Sequence, residues 1–243
     1  MGKIFAVTSG KGGVGKSTFS VGLSLALSKG GQTVLLIDMD EGLRCLDIML
    51  GVDKSTVFDL SDVLCGKEIS DALYEIPHYE NLFLIPAPAK LGMIDAFAFT
   101  NFANQVKDMF DIVIFDFPAG IDFSLYTCLP KDTLFLTIAL PDPVSVKDAS
   151  VVSEMLSQID CDARLIINNF QYKLAKKQIF KNIDEIIDQS ELQLLGIVPK
   201  SDELMLLAVK NKLNPKGKAM QSFTRISKRL LGERILLPNL KKI

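Results

Sequence analysis

Eight consecutive residues, Gly10-Lys11-Gly12-Gly13-Val14-Gly15-Lys16-Ser17, carry the most legible chemistry in this chain. They satisfy G-x-x-x-x-G-K-[ST], the pattern of a loop that cradles nucleotide phosphates. Gly10, Gly12, Gly13 and Gly15 can take backbone angles closed to other residues, so that successive N–H groups, Val14 among them, turn inward around an anion-sized hollow. A helix opening directly after the loop adds the positive end of its dipole. Lys16 is then placed to reach the β and γ phosphates, and the Ser17 hydroxyl to ligate Mg²⁺, a hard cation that keeps oxygen ligands. Thr18 offers a further hydroxyl near the α phosphate.

Such a loop needs acids at neighbouring strand ends, and the sequence supplies three. The apolar run 34–37 ends in Asp38-Met39-Asp40, and the run 112–115 ends in Asp116. A carboxylate directly after a buried strand is where a P-loop protein holds its Mg²⁺, usually through water. The candidate metal ligands are therefore Ser17, Asp38 and Asp116. Gly120, in the loop after Asp116, offers an N–H as a sensor of the γ phosphate. No N-K-x-D string follows a strand, so a guanine pocket has no support and ATP is the expected nucleotide.

The elements that must position these residues follow from periodicity. Short apolar runs at 3–7, 33–37, 81–85, 111–115, 133–137, 164–167 and 192–198 read as strands buried on both faces. Segments of helical period lie between and after them, at 17–29, 94–109, 144–158, 175–187, 202–210 and 215–231. This alternation predicts an α/β fold, a doubly wound, mostly parallel sheet flanked by helices, with the ligand at the carboxyl ends of the strands.

Composition narrows the class further. The 243 residues are 48% hydrophobic, with 27 Lys and Arg against 29 Asp and Glu, a formal net charge of −2. That apolar content excludes disorder, and no apolar run approaches the roughly 18 residues of a membrane span. The short start before the first glycines does not read as a secretory leader, so a cytoplasmic protein is expected. Cys45, Cys65, Cys128 and Cys161 form no close pair, and His78 is the only histidine. A metal cluster of Cys and His is therefore not expected; the thiols read as buried or incidental, and His78 as a solvated turn residue. The near-zero net charge conceals a split. Residues 210–243 hold ten basic side chains and one acid, giving +9, while the remainder holds 17 against 28, giving −11.

The string from Lys11 to Thr18 resembles the deviant Walker A motif of the MinD/ParA family of ATPases. Asp38-Met39-Asp40-Glu41-Gly42-Leu43-Arg44-Cys45-Leu46-Asp47 resembles the family's switch I, and Asp116-Phe117-Pro118-Ala119-Gly120-Ile121 its Walker B and switch II. With 141–149 and 196–199, the resemblance covers about nine-tenths of the chain. It implies an ATP-dependent homodimer in which Lys11 reaches across a twofold interface to the partner's phosphates while Lys16 binds phosphate in its own subunit. It implies that Asp40 positions and polarises the attacking water, that Ser17 binds Mg²⁺ directly, that Asp116 acts through a metal-bound water, and that Asp38 supports the same shell. Asn168, at the end of the strand 164–167, is the implied adenine contact. Slow hydrolysis until a protein activator docks, and control of where the cell-division site is placed, are the implied activity and role. Alternatives within the family are a flagellar-number regulator or a partition ATPase that binds DNA through the basic residues of 210–242. A nucleotide-sensing scaffold without turnover is a further alternative.

Residues 1–232 are expected to form the ATPase domain and 233–243 a short basic and apolar tail. Ala219, Met220, Phe223, Ile226, Leu230 and Leu231 recur at helical spacing, predicting a terminal helix packed on the sheet with its basic residues outside. Beyond it Pro238 breaks any longer helix. Ile235, Leu236, Leu237, Leu240 and Ile243 with nearby Lys offer a weak anchor to an anionic membrane surface, strengthened when two tails act together in a dimer. DNA is the lesser expectation for this segment.

Overall fold

The computed structural model describes residues 2–120, 124–172 and 183–242. Its strands are β1 (Lys3–Thr8), β2 (Val34–Asp38), β3 (Tyr74–Glu75), β4 (Leu82–Ile85), β5 (Ile112–Asp116), β6 (Leu134–Ala139), β7 (Ala163–Phe170) and β8 (Leu194–Pro199). Its helices are α1 (Lys16–Lys29), α2 (Leu46–Leu50), α3 (Leu60–Leu64), α4 (Ala96–Met109), α5 (Pro143–Gln158), α6 (Ile183–Ser190), α7 (Asp202–Met205), α8 (Leu207–Lys210) and α9 (Lys218–Leu230).

The strands form one sheet in the order β3-β4-β2-β5-β1-β6-β7-β8. Every pairing is parallel except that of β3 with β4. The doubly wound sheet expected from the alternation is what the chain adopts. The crossovers run to opposite sides of β1, which pairs with β5 on one side and β6 on the other, so its carboxyl end lies at the switch point where a doubly wound sheet opens a crevice. The same register sets Asp38 directly beside Asp116 across the β2–β5 pair.

Because alternate strand residues face opposite sides, β1 sends Phe5 and Val7 into one apolar layer and Ile4 and Ala6 into the other. The first layer is closed by α1 and α9, the second by α4 and α5. Helix α1 is buried on nearly every side, because the sheet covers one face and α9 the other. Gly22 permits that approach: a Cβ on it would collide with the Phe223 ring of α9. Phe19 completes the contact, its ring centroid 5.8 Å from that of Phe223.

The terminal helix buries Ala219, Met220, Phe223, Ile226 and Leu230, as the spacing predicts, and leaves Lys218 and Lys228 exposed. Gly232, at φ +97°, ends it. The tail then folds back, with the Arg229 guanidinium donating to the carbonyls of Ile235 and Leu195, while Leu236 stays 83% exposed.

Several elements differ from the sequence reading. β3, α2 and α3 are too short to carry a period. The segment 202–210 is two helices rather than one, broken at Leu206. Of the expected helix 175–187, residues 175–182 lie outside the described residues, and α6 spans Ile183–Ser190. The cysteines are less buried than expected: Cys65 is exposed and the other three are half-buried. His78 sits exposed in a turn at φ +66°, as expected.

Candidate functional site

β1 delivers the chain to the phosphate loop and α1 takes it away at Lys16. The glycines answer to different constraints. Gly13 and Gly15 adopt φ of +79° and +89°, the left-handed region that a side chain resists. Gly10 is needed for space, since a Cβ there would come within 2.7 Å of the Asp148 Cβ and 2.8 Å of its carbonyl oxygen. A Cβ on Gly15 would also strike the Asn168 amide. The Ser9 hydroxyl donates to the Lys11 carbonyl at 2.7 Å, tying the entry of the loop to its second residue.

Lys16 is buried at the start of α1, and burial pulls its ammonium below the ordinary lysine range, opposed by the nearby carboxylates of Asp116 and Asp40. Lys11 is only half-buried and among the described residues forms no salt bridge. The two lysines of the motif are thus unlike: one faces the protein's own acids, the other the surface.

The strand-end acids lie beside Lys16. Asp116 is 1% exposed; its Oδ1 accepts the Ser20 hydroxyl at 2.7 Å, and its carboxylate also meets the Ser17 hydroxyl. Burial, reinforced by Asp38, pushes its carboxyl up to about 7. Asp38 is equally buried and accepts three backbone N–H groups, from Asp40 at 3.0 Å and from Cys45 and Leu46 at 3.2 Å. Burial still outweighs those bonds and raises it to about 6. Asp40 is half-buried; burial raises its pKa and Lys16 draws it back.

These groups fit a hard divalent cation. Two neighbouring buried carboxylates hold protons well above the ordinary range even with a lysine nearby, so the site is short of positive charge. A serine hydroxyl and carboxylate oxygens are the donors Mg²⁺ prefers. Asp38, however, spends both oxygens on the backbone of residues 40–46, so its visible work is to hold that loop.

Beside the loop, a cavity of about 310 Å³ is lined by Gly13, Thr18, Asn168 and the apolar Leu140, Pro199 and Leu204. Sequence reasoning put Asn168 at the base; in the structure its Nδ2 donates to the Val14 carbonyl at 2.7 Å, so it also braces the phosphate loop. The Gly120 N–H, read as a phosphate sensor, donates here to the Ser9 carbonyl at 3.2 Å.

The structure therefore brings Lys16, Ser17, Asp38, Asp40 and Asp116 together and leaves Lys11 at the rim. Sequence reasoning missed two members. Ser20 lies one turn beyond Ser17 on α1, a spacing that would have placed it on the same face. Cys45 meets the Ser17 hydroxyl, and burial beside Asp38 pushes its thiol up to about 12.

Known proteins share this fold. A model of the CobQ/CobB/MinD/ParA nucleotide binding domain matches residues 5–214. The septum site-determining protein MinD of Bacillus subtilis (strain 168) is 32% identical over 251 residues, spanning 100% of this chain and 94% of that protein. The MinC:MinD cell division protein complex of Aquifex aeolicus contains a chain that superposes with a TM-score of 0.88 at 30% identity, covering 98% of this chain and 99% of that one. The MinD of Pyrococcus horikoshii, solved in complex with Mg-ADP, superposes with a TM-score of 0.82 over 95% of this chain and 96% of that one; at 24% identity it speaks for the fold. A phosphate loop at the switch point, acids at the adjoining strand ends and a family model matched from residue 5 to residue 214 agree: the chain belongs to the CobQ/CobB/MinD/ParA family of nucleotide-binding ATPases.

Proposed function

We propose that this chain is a MinD-type ATPase, which dimerises with ATP, hydrolyses it to ADP and phosphate, and uses that cycle to position the cell-division site. The observation that carries this reading is the pairing of a buried Lys16, held beside Asp40 and Asp116, with a Lys11 that has no ion-pair partner among the described residues. A cation at the rim of a phosphate site can serve a second subunit's triphosphate, so that nucleotide becomes part of the dimer contact. Lys16 and the loop amides hold the phosphates of their own subunit. Asp40 orients the attacking water, on a loop that Asp38 fixes from behind. Ser17 and Asp116 would hold Mg²⁺, which supplies charge neutralisation at the phosphates. The cavity beside Asn168, lined by Leu140 and Pro199, would hold the adenine. Full-length similarity to septum site-determining proteins supports the cellular role, and the Aquifex aeolicus relative solved with MinC supports a protein partner.

The tail supports reversible membrane attachment in the dimer, since Leu236 is 83% and Leu237 45% exposed among the basic residues of the C-terminus. The test combines Mg²⁺-dependent ATP turnover with size-exclusion chromatography of Asp40→Ala. That variant is expected to keep ATP and accumulate as a dimer. Normal turnover in it would move the water-orienting role elsewhere, and a chain that stays monomeric with ATP would remove the dimer cycle. Sedimentation with anionic liposomes against duplex DNA decides the surface, and capture by DNA alone would favour a partition ATPase.

A further inference from the structure

Glu41, the residue after Asp40, makes contacts that neither the motif nor the proposed chemistry uses. Its Oε1 accepts the backbone N–H groups of Met93 at 2.8 Å and Ile94 at 3.0 Å, and its Oε2 accepts that of Gly92 at 2.9 Å. Three successive amides thus converge on one carboxylate. Gly92, at φ +74°, turns the backbone so that they point the same way, forming an anion-binding nest filled by the chain's own side chain. One residue on, the Gly42 N–H donates to the Pro88 carbonyl at 2.9 Å, and the Leu91 side chain lies against Gly42. The loop that carries Asp40 is therefore held on two sides: by Asp38 from the sheet, and by Glu41 from the segment leading into α4, whose first turn is capped by the Asp95 carboxylate.

From this geometry we infer that Glu41 is a positioning residue for ATP hydrolysis, fixing Asp40 by bonding its loop to the entry of α4. The inference rests on the reading of Asp40 as the water-orienting group. A carboxylate bound by several amides makes strong, directional, charge-assisted bonds. A loop that loses them keeps its fold, through Asp38 and the Gly42–Pro88 bond, while the fine placement of Asp40 degrades. Placement errors on that scale act on turnover more than on binding. Glu41 lies outside the phosphate loop, so its removal leaves the groups that hold nucleotide intact.

The test compares Glu41→Ala, Glu41→Gln and Gly92→Ala for turnover, KM for ATP and ADP affinity. Glu41→Ala is expected to lower kcat about tenfold while KM and ADP affinity stay within about twofold. Glu41→Gln keeps one acceptor oxygen, able to retain Met93 and Ile94, and is expected to recover most of the loss. Gly92→Ala strains the nest from the α4 side and is expected to lower kcat in the same sense, without touching the loop of Asp40. Unchanged kcat in Glu41→Ala, a Gln variant no better than Ala, or ADP affinity falling in step with kcat would overturn the inference. Amide exchange gives a readout independent of chemistry. In Glu41→Ala it is expected to quicken at residues 92–94 and also at 40–46, and a change confined to 92–94 overturns the coupling. Should the wild-type chain show no turnover, the proposed function fails, and the exchange result still decides whether Glu41 fixes the loop.

Discussion

The carboxyl edge of the sheet and the chain beyond residue 210 are opposites in charge and in how they use burial. At the sheet edge, three aspartates converge and two of them are buried with their ordinary ionisation disfavoured. In the C-terminal segment, Lys218 and Lys228 stay in solvent and Arg229 turns in to backbone carbonyls, while a separate apolar stripe on α9 goes into the core. The first arrangement stores unfavourable charge for a ligand to relieve. The second keeps its charges, Arg229 apart, away from its packing.

Perturbing α9 tests the packing half of that contrast most strongly. Phe223→Ala removes a fully buried ring lodged against Phe19 and Gly22, and is expected to cost about 4 kcal/mol, or roughly 10 °C in thermal midpoint. A loss below about 1 kcal/mol would mean that α9 belongs with the tail rather than with the core. Next in size, Lys16→Ala is expected to weaken ATP binding about 100-fold by calorimetry, the scale of losing a charge-assisted contact in a buried site. Unchanged affinity would remove the phosphate-loop assignment.

A smaller effect tests the stored charge itself. Burial raises the Asp116 carboxyl from 3.8 to about 7, so the folded chain binds more protons there than the unfolded chain between those values. Stability from this group is full below the unfolded value and is lost as pH rises through about 7, the reverse of a salt-bridged aspartate. Without nucleotide or metal, the thermal midpoint of wild-type protein is therefore expected to fall more steeply between about pH 5 and about pH 8 than that of Asp116→Asn. Equal slopes would show that this charge is relieved by some other group. The smallest effect belongs to the tail. Deleting 235–243 is expected to change stability by about 1 kcal/mol or less while abolishing any ATP-favoured binding to anionic vesicles.

How far these regions were legible depends on whether their logic is local. The phosphate loop is a contiguous string in which each residue type answers to one demand, so Lys16 and Ser17 could be assigned from spacing alone. Asp38, Asp40 and Asp116 were legible because each follows a buried run, and parallel pairing must bring such ends together. Ser20 and Cys45 were not, because their partners come from strand register and loop closure. Asn168 was found because the sequence reading ended its strand at 167; β7 instead runs on to Phe170, and the bond from Asn168 to Val14 depends on how closely that strand passes the loop. Glu41 was invisible for the same reason: its three donors lie some fifty residues further along the chain. The short elements β3, α2 and α3 lack the two turns or two alternations that a period requires, and the break at Leu206 occurs inside an otherwise helical pattern.

The bond from Arg229 to the Leu195 carbonyl has a consequence for solubility. Leu195 lies on β8, the outermost strand on one side of the sheet, where an open row of backbone acceptors invites another strand to pair. A guanidinium bonded to that strand caps one of its carbonyls, and on the opposite edge β3 is only two residues long. Both margins are thus poor templates for lateral growth. Neither margin therefore favours copies of this chain pairing edge to edge into fibres.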